Sequence, residues 1–247
     1  METNLVRFGI PAIAVGLAVL FVLGVAQAER SLGTAPELVR KRVGLSAIGV
    51  ALWMAAIAAA ALSGALARFD LRPPPMVLWF LLVLGSAVAL GLSSVGKRLA
   101  AGLSLGALIG FQAFRLPLEL VMHQAANDGL MPSVMSFNGY NFDILSGASA
   151  ALVGTLVVAH KAPRWLVVAW NALGSALLFA IATIAMLASP AVRAFGDDQQ
   201  NVWVTRFPYC WMAVMVAAAL FGHIVLTRKL LAERTHPTTA RLGTAMV

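Results

Sequence analysis

Seven long apolar stretches constrain this chain more than any other feature of its sequence. A helix needs about 20 predominantly apolar residues to cross the hydrocarbon core of a bilayer, and stretches of about this length occur at about 5–28, 43–66, 76–95, 99–124, 143–162, 165–188 and 209–230. Within lipid, every backbone N–H and C=O must be satisfied internally, which favours helices. The sequence therefore predicts one all-α domain over residues 1–247, a polytopic bundle of seven transmembrane helices.

The composition also indicates that the lipid bilayer is the surrounding solvent. Apolar residues make up 60% of the chain and charged residues 11%, whereas soluble domains carry about 25% charged residues. The formal net charge of +8 is typical of basic cytoplasmic loops. No nucleic acid partner is predicted, because no basic stripe with interleaved aromatic residues occurs outside the spans.

The first apolar stretch admits two interpretations. Arg7, the apolar run and the A-x-A sequence at 26–28 are typical of a cleavable signal peptide. The run is nevertheless long enough to span, and we interpret it as the first transmembrane helix. With the N-terminus outside, twelve of the 18 Lys and Arg residues, including Arg241, fall on the cytoplasmic side. The positive-inside rule therefore predicts an outside N-terminus and a cytoplasmic C-terminus, which requires an odd number of spans.

The fourth stretch differs from the others because it carries ionisable residues. Arg115, Glu119 and His123 are spaced four residues apart and share one helix face, with Gln112 about one turn earlier. Ionisable groups within a span are energetically costly, so they face the protein interior and often mark functional sites. Pro117 lies between them and predicts a kink.

Polar residues continue in two loops that follow on the predicted outer side. These loops cover about 125–142 and 189–208, and together with the fourth stretch they predict an outward-facing site that binds or transports a small ligand. An arginine in such a site favours an anionic ligand. The predicted ligand-binding residues are Gln112, Arg115, Glu119, His123, Asn138, Asn141, Asp143, Trp203 and Arg206.

Structural, catalytic and metal-binding interpretations of the same residues remain open. Arg115 and Glu119 could neutralise each other in a purely structural pair, and Asp143 is a natural N-cap for the fifth span. Glu119 or His123 could act as a general acid or base on a lipid-like substrate. Glu119, His123 and Asp143 could together ligate a metal ion, but no HExxH pattern supports this, so no metal is predicted.

No cofactor is predicted either. The seventh span has no mid-span lysine for a retinal Schiff base, and no CxxCH sequence is present for a c-type haem. His123 and His223 are expected at different depths, which argues against a b-type haem. We expect His223 to be a hydrogen-bonded packing residue, His236 to lie on the cytoplasmic side, and Asn171 to form a hydrogen bond between helices.

A small-xxx-small pattern opens the fourth stretch at Gly102, Gly106 and Gly110. Such glycines let a second helix approach closely. The partner helix could belong to another chain or to the same bundle, and the second interpretation is the simpler one. The first would suit a non-catalytic accessory subunit of a membrane complex.

Three segments resemble the motifs of an uncharacterised family of bacterial polytopic membrane proteins. They are FRLPLE at 114–119 with His123, NFDIL at 141–145 with Gly147, and RFPYCW at 206–211, all within about residues 110–230. The family has no established activity. The resemblance therefore implies a location in the bacterial cytoplasmic membrane and no particular function.

Overall fold

The computed structural model describes residues 2–235, and this part of the chain is helical and contains no strands. Met1 and residues 236–247 lie outside the described residues, so the placements predicted for His236 and Arg241 are not covered by it. The helices are α1 Asn4–Ser31, α2 Pro36–Leu62, α3 Pro75–Leu92, α4 Ser94–Gly102, α5 Leu105–Phe111, α6 Arg115–Asn127, α7 Ile144–Val158, α8 Arg164–Leu187 and α9 Met212–Thr235.

Six helical segments of the described chain are long and apolar enough to cross a membrane. They are Asn4–Ser31, Pro36–Leu62, Pro75–Leu92, Leu105–Asn127, Arg164–Leu187 and Tyr209–Arg234. The seventh predicted span corresponds to α7, which is apolar but has only 15 residues. The prediction of an all-α, multi-pass membrane protein is confirmed, with six long apolar helical segments and the shorter α7 within the described residues.

Local sequence signals explain where several helices begin. Proline occupies the first turn of both α2 and α3, a position where its missing N–H costs nothing. Ser93 and Ser104 cap α4 and α5, and their hydroxyls accept hydrogen bonds from the backbone N–H groups of Val95 and Ala107. The prediction of one continuous helix over 99–124 is therefore wrong, because the chain is extended at Leu103 and restarts at the cap of α5.

The chain connections lie at two opposite ends of the bundle. One end, the N-terminal face, holds residues 2–3, 63–74, 128–143 and 188–208. There Thr3 N donates to Asp128 Oδ2 at 2.8 Å. The other end, the C-terminal face, holds residues 32–35, 92–104, 159–163 and the end of α9. There Lys229 Nζ donates to the carbonyl of Ala100 at 3.1 Å, which fixes α4 across this end.

The first helix is an integral part of the bundle. Its residues Val6, Ile10 and Ala14 are fully buried in the core cluster nearer the N-terminal face, with Ile57 of α2 and Met215 of α9. Lipid tails are as apolar as these side chains, so close van der Waals packing, and not the hydrophobic effect, holds such helices together.

Close packing depends on glycine at three helix contacts. A Cβ on Gly102 would lie 2.4 Å from the carbonyl oxygen of Ala28, and one on Gly106 would lie 2.6 Å from Val158 Cγ2. A Cβ on Gly147 would lie 2.2 Å from the backbone nitrogen of Leu116. Gly102 and Gly106 thus pack against other helices of the same chain, whereas a Cβ on Gly110 would meet no atom within 4 Å. Gly147 brings the start of α7 directly against the start of α6.

Candidate functional site

Arg115 and Asp143 form a buried ion pair where α6 and α7 meet. Arg115 Nε donates to Asp143 Oδ2 at 2.6 Å, and Arg115 Nη2 lies 2.5 Å from Asp143 Oδ1. The two side chains are only 1% and 6% exposed. The prediction that Asp143 caps α7 with its side chain is wrong: it stands at the N-cap position without a capping bond, because its carboxylate is directed to the guanidinium.

A histidine from α9 completes the surroundings of the guanidinium. Arg115 Nη1 lies 2.9 Å from His223 Nε2 and 3.4 Å from the carbonyl oxygen of Gly174. Arginine can only donate hydrogen bonds, so His223 Nε2 accepts one and the imidazole is neutral. Its proton is then on Nδ1, which donates to Asn171 Oδ1 at 2.9 Å.

The network continues from the histidine into α8 and back to α9. Asn171 Nδ2 donates to Thr227 Oγ1 at 2.8 Å, and Thr227 in turn donates to the backbone carbonyl of His223 at 2.8 Å. A Cβ on Gly174 would lie 2.7 Å from the imidazole, so glycine makes room for the ring. The interhelical role expected of Asn171 is confirmed. His223 is hydrogen-bonded within the bundle, as expected, and connects α6 to α8 and α9.

Asn141, in the loop that precedes α7, positions Glu119 through a hydrogen bond. Asn141 Nδ2 donates to Glu119 Oε2 at 2.7 Å and to the Met135 carbonyl at 3.0 Å, while Asn141 Oδ1 accepts from the Asp143 N–H at 3.0 Å. Glu119 Oε1 receives no hydrogen bond from the described residues. Arg115 is therefore paired with Asp143 and not with Glu119, contrary to the structural pair considered from the sequence.

Gln112 is buried one turn before this site and connects the fourth span to α9. Its Nε2 donates to the carbonyl of Ala219 at 3.0 Å. A Cβ on Gly222 would lie 2.4 Å from that nitrogen, so a larger residue would displace the amide. Gln112 supports the site and does not line the cavity described next.

A cavity of about 130 Å³ adjoins these polar residues. Its walls come from α3, α6, α8 and α9, and most of the lining side chains are apolar. The charged residues among them are Arg115, Glu119 and Asp143. Arg115 and Asp143 are joined in an ion pair, whereas Glu119 supplies an ionisable group with one carboxyl oxygen that receives no hydrogen bond from the described residues.

Two buried polar atoms without partners also face this cavity. Ser189 and Asn201 are 2% and 3% exposed, and both line it. Ser189 Oγ and Asn201 Oδ1 have no hydrogen-bond partner among the described residues. A buried polar atom left unsatisfied costs about 1–3 kcal/mol, so these atoms favour a polar occupant at the N-terminal end of the cavity. The sequence analysis missed both residues.

Four predicted site residues neither line the cavity nor bond to the polar residues beside it. His123 Nδ1 is 2.9 Å from Ser136 Oγ, and the ring stacks on Phe137. Asn138 and Arg206 are exposed, and Trp203 is buried beside Tyr209. The structure brings together Arg115, Glu119, Asn141 and Asp143, with Gln112 adjacent, and leaves out His123, Asn138, Trp203 and Arg206.

The arrangement gives little support to a metal site. No group of three or more His, Cys, Asp or Glu side chains with metal-site geometry occurs within residues 2–235. Glu119, His123 and Asp143, the weak candidates from the sequence, are not gathered around one point, because His123 is directed to the loop residue Ser136.

Comparison of the chain with protein-family models, curated proteins and solved structures finds no match. The chemistry open to the site follows from its contacts. Arg115 Nε donates to Asp143, Arg115 Nη1 is bonded to His223 and Gly174, and Arg115 Nη2 faces Asp143 Oδ1 in the ion pair without a further partner. Away from this ion pair, the cavity atoms without a partner among the described residues are Glu119 Oε1, Asn201 Oδ1 and the hydroxyl of Ser189. A ligand that complements them must donate hydrogen bonds.

Proposed function

We propose that the chain crosses a bacterial cytoplasmic membrane seven times, with the N-terminal face outside, as a member of the uncharacterised family that it resembles. The short helix α7 serves as one span, because the residues before it already lie deep in the protein. Asn141 and Asp143 are 1% and 4% exposed, and non-helical backbone is tolerated at membrane depth where protein covers it. The concentration of Lys and Arg on the C-terminal face supports this orientation.

Within that membrane, the protein binds a small, largely apolar molecule that carries a hydrogen-bond-donating or cationic group. The observation that carries this proposal is the free carboxyl oxygen of Glu119 in a cavity whose lining is mostly apolar. An ammonium group on the ligand would make a charge-assisted hydrogen bond to that oxygen. The anionic ligand predicted from Arg115 is less well supported, since Asp143 already neutralises the guanidinium.

The size of the cavity limits the ligand. An engineered apolar cavity of about 150 Å³ in another protein accommodates benzene, and this cavity of about 130 Å³ is similar. A single aromatic ring or a short branched alkyl group with one amine is of suitable size. Lining residues on α3 and α8, such as Val77, Phe80 and Ala182, are only half-buried. The cavity therefore borders the lipid between these two helices, which provides an entry route.

The only cysteine of the chain gives a direct assay of occupancy. Cys210 lines the cavity, so its alkylation by N-ethylmaleimide in lipid nanodiscs should slow when the cavity is filled. We expect benzylamine to protect Cys210 at lower concentration than toluene or benzoate does. Glu119→Gln should weaken protection by benzylamine about tenfold or more, because a hydrogen bond to a charged group contributes about 1.5–3 kcal/mol.

Two controls separate this effect from a general change in stability. Glu37→Gln removes an exposed carboxylate in the first turn of α2 and should leave protection unchanged. Ala182→Leu fills part of the cavity and should weaken protection by every probe. Equal protection by benzylamine and toluene, or an unaltered response in Glu119→Gln, would overturn the proposal.

A further inference from the structure

A second and larger cavity, which we call the groove, lies between α2 and α3. Its volume is about 1190 Å³, which exceeds the range of about 300–1,000 Å³ that is usual for small-molecule sites. Side chains of α1 and α9, including Phe21 and Phe221, form its floor. Toward the N-terminal face, Trp53 of α2 stacks on Trp79 of α3 with ring centroids 5.5 Å apart. Trp53 lines this groove and Trp79 lines the smaller cavity, so the stacked pair separates the two.

The other end of the groove, at the C-terminal face, carries a cluster of basic residues. Glu29 accepts hydrogen bonds from Arg98 Nε at 2.5 Å, Arg42 Nη1 at 2.7 Å and Thr34 Oγ1 at 2.7 Å. Two guanidinium groups thus meet one carboxylate, and each arginine side chain remains 34% exposed. Lys97 is exposed at the same end, lines the groove and has no carboxylate partner among the described residues. The cluster has an excess of positive charge.

Helix α4 places these charges at the depth of lipid headgroups. It is a short amphipathic helix that buries Gly96, Leu99 and Ala100 and exposes Lys97. Such helices lie in the interface plane of a membrane. Arg228 Nη1 donates to the Gly91 carbonyl at 2.6 Å just before α4, so the basic end of the groove is held against α9.

We propose that the groove binds one phospholipid with an anionic headgroup from the leaflet at the C-terminal face. One of its acyl chains lies between α2 and α3 along the apolar floor, and its phosphate contacts Lys97 and the exposed faces of Arg42 and Arg98. The argument is one of complementarity, because an apolar groove that ends in excess positive charge matches an amphiphile with a negative head. Anionic headgroups attract Lys and Arg at the membrane surface in this way. The site is separate from the Glu119 cavity.

The lipid that remains bound to the purified protein tests this proposal directly. The protein is reconstituted in nanodiscs with equal amounts of phosphatidylglycerol and phosphatidylcholine of the same chain length, released into mild detergent and analysed by native mass spectrometry. We expect the wild type to retain one phosphatidylglycerol in preference to phosphatidylcholine. Lys97→Gln should reduce that preference about fivefold, the effect of one basic residue near an anionic surface.

Matched variants identify the groove as the source of the preference. Lys161→Gln removes an exposed lysine from the α7–α8 connection at the same face but outside the groove, and should retain lipid as the wild type does. A Cβ on Gly49, which lines the groove, meets no atom within 4 Å, so Gly49→Leu adds side-chain volume to the groove and should reduce retention of both lipids. Equal retention of the two lipids by the wild type, or equal effects of Lys97→Gln and Lys161→Gln, would overturn the proposal.

Discussion

Replacing Asp143 by Asn removes the negative charge that faces Arg115 while keeping the size of the side chain. The guanidinium then remains buried at 1% exposure without the carboxylate to which it is hydrogen-bonded. Removing one partner of a buried ion pair costs about 3–5 kcal/mol, because the remaining charge is uncompensated in a low-dielectric interior. We expect Asp143→Asn to lower the free energy of unfolding by that amount.

The chain contains a matched control for this experiment. Arg68 and Asp70 also form a two-bond pair, with Arg68 Nε to Asp70 Oδ1 at 2.9 Å and Arg68 Nη2 to Asp70 Oδ2 at 2.8 Å. Their side chains are 56% and 62% exposed. The arginine holds the pKa of Asp70 below its usual value through their hydrogen bond, yet water and salt screen an exposed pair. Asp70→Asn should therefore have little effect on unfolding.

Reversible unfolding in mixed micelles, titrated with sodium dodecyl sulfate and followed by tryptophan fluorescence, gives both free energies. The double variant Arg115→Met/Asp143→Leu tests the cause of the loss. Replacing a buried pair by apolar residues of similar size is often close to neutral, so the double variant should recover most of the stability lost by Asp143→Asn. Equal losses in Asp143→Asn and Asp70→Asn would refute the reasoning that burial makes the first pair indispensable.

Three further predictions concern other parts of the fold. His223→Ala leaves one N–H of the buried guanidinium unpaired and should lower the free energy of unfolding by about 1–3 kcal/mol in the same titration. Gly147→Ala places a Cβ against α6 and should cost about 1–3 kcal/mol through overpacking, whereas Gly85→Ala meets open space and should stabilise α3 by about 0.5–1 kcal/mol. The hydrogen bond from Thr3 N holds the pKa of Asp128 below its usual value, so this contact is present above the ordinary carboxyl pKa of about 4 and is lost as the pH falls below it. The protection of the N-terminal amides, measured as their exchange rate relative to the intrinsic rate at each pH, should fall over that range, and Asp128→Asn should lower it already at neutral pH; protection that does not change with pH would contradict this.

The spans could be predicted from the sequence because their signal is the length of an apolar run, which is local. The break between α4 and α5 was missed because no proline marks it; the available signal was Ser104, a serine at an N-cap position. The grouping of Arg115, Glu119 and Asn141 followed from helix periodicity and from the shared end of the bundle.

The partners of these residues could not be predicted in the same way. Whether Arg115 meets Glu119 or Asp143 depends on how closely α7 approaches α6, which Gly147 sets through a backbone contact. The contact between Arg115 and His223 depends on the depth and rotation of α9, which no local pattern encodes. Ser189 and Asn201 gave no signal in the sequence because serine and asparagine are ordinary loop residues; only their burial without partners distinguishes them.

The order of the chain has a consequence for how the buried charges enter a membrane. Asp143 follows Arg115 by 28 residues, whereas His223 follows it by 108. During synthesis, α6 and α7 can therefore insert as a hairpin whose two opposite charges are already compensated, well before α9 exists. His223 is synthesised with the last helix, and it then accepts a hydrogen bond from an N–H of Arg115 that the pair with Asp143 does not use. A nascent chain that ends before α9 thus already holds the arginine and its aspartate together, and it still lacks the acceptors that α9 supplies to Arg115, Gln112 and Asn171.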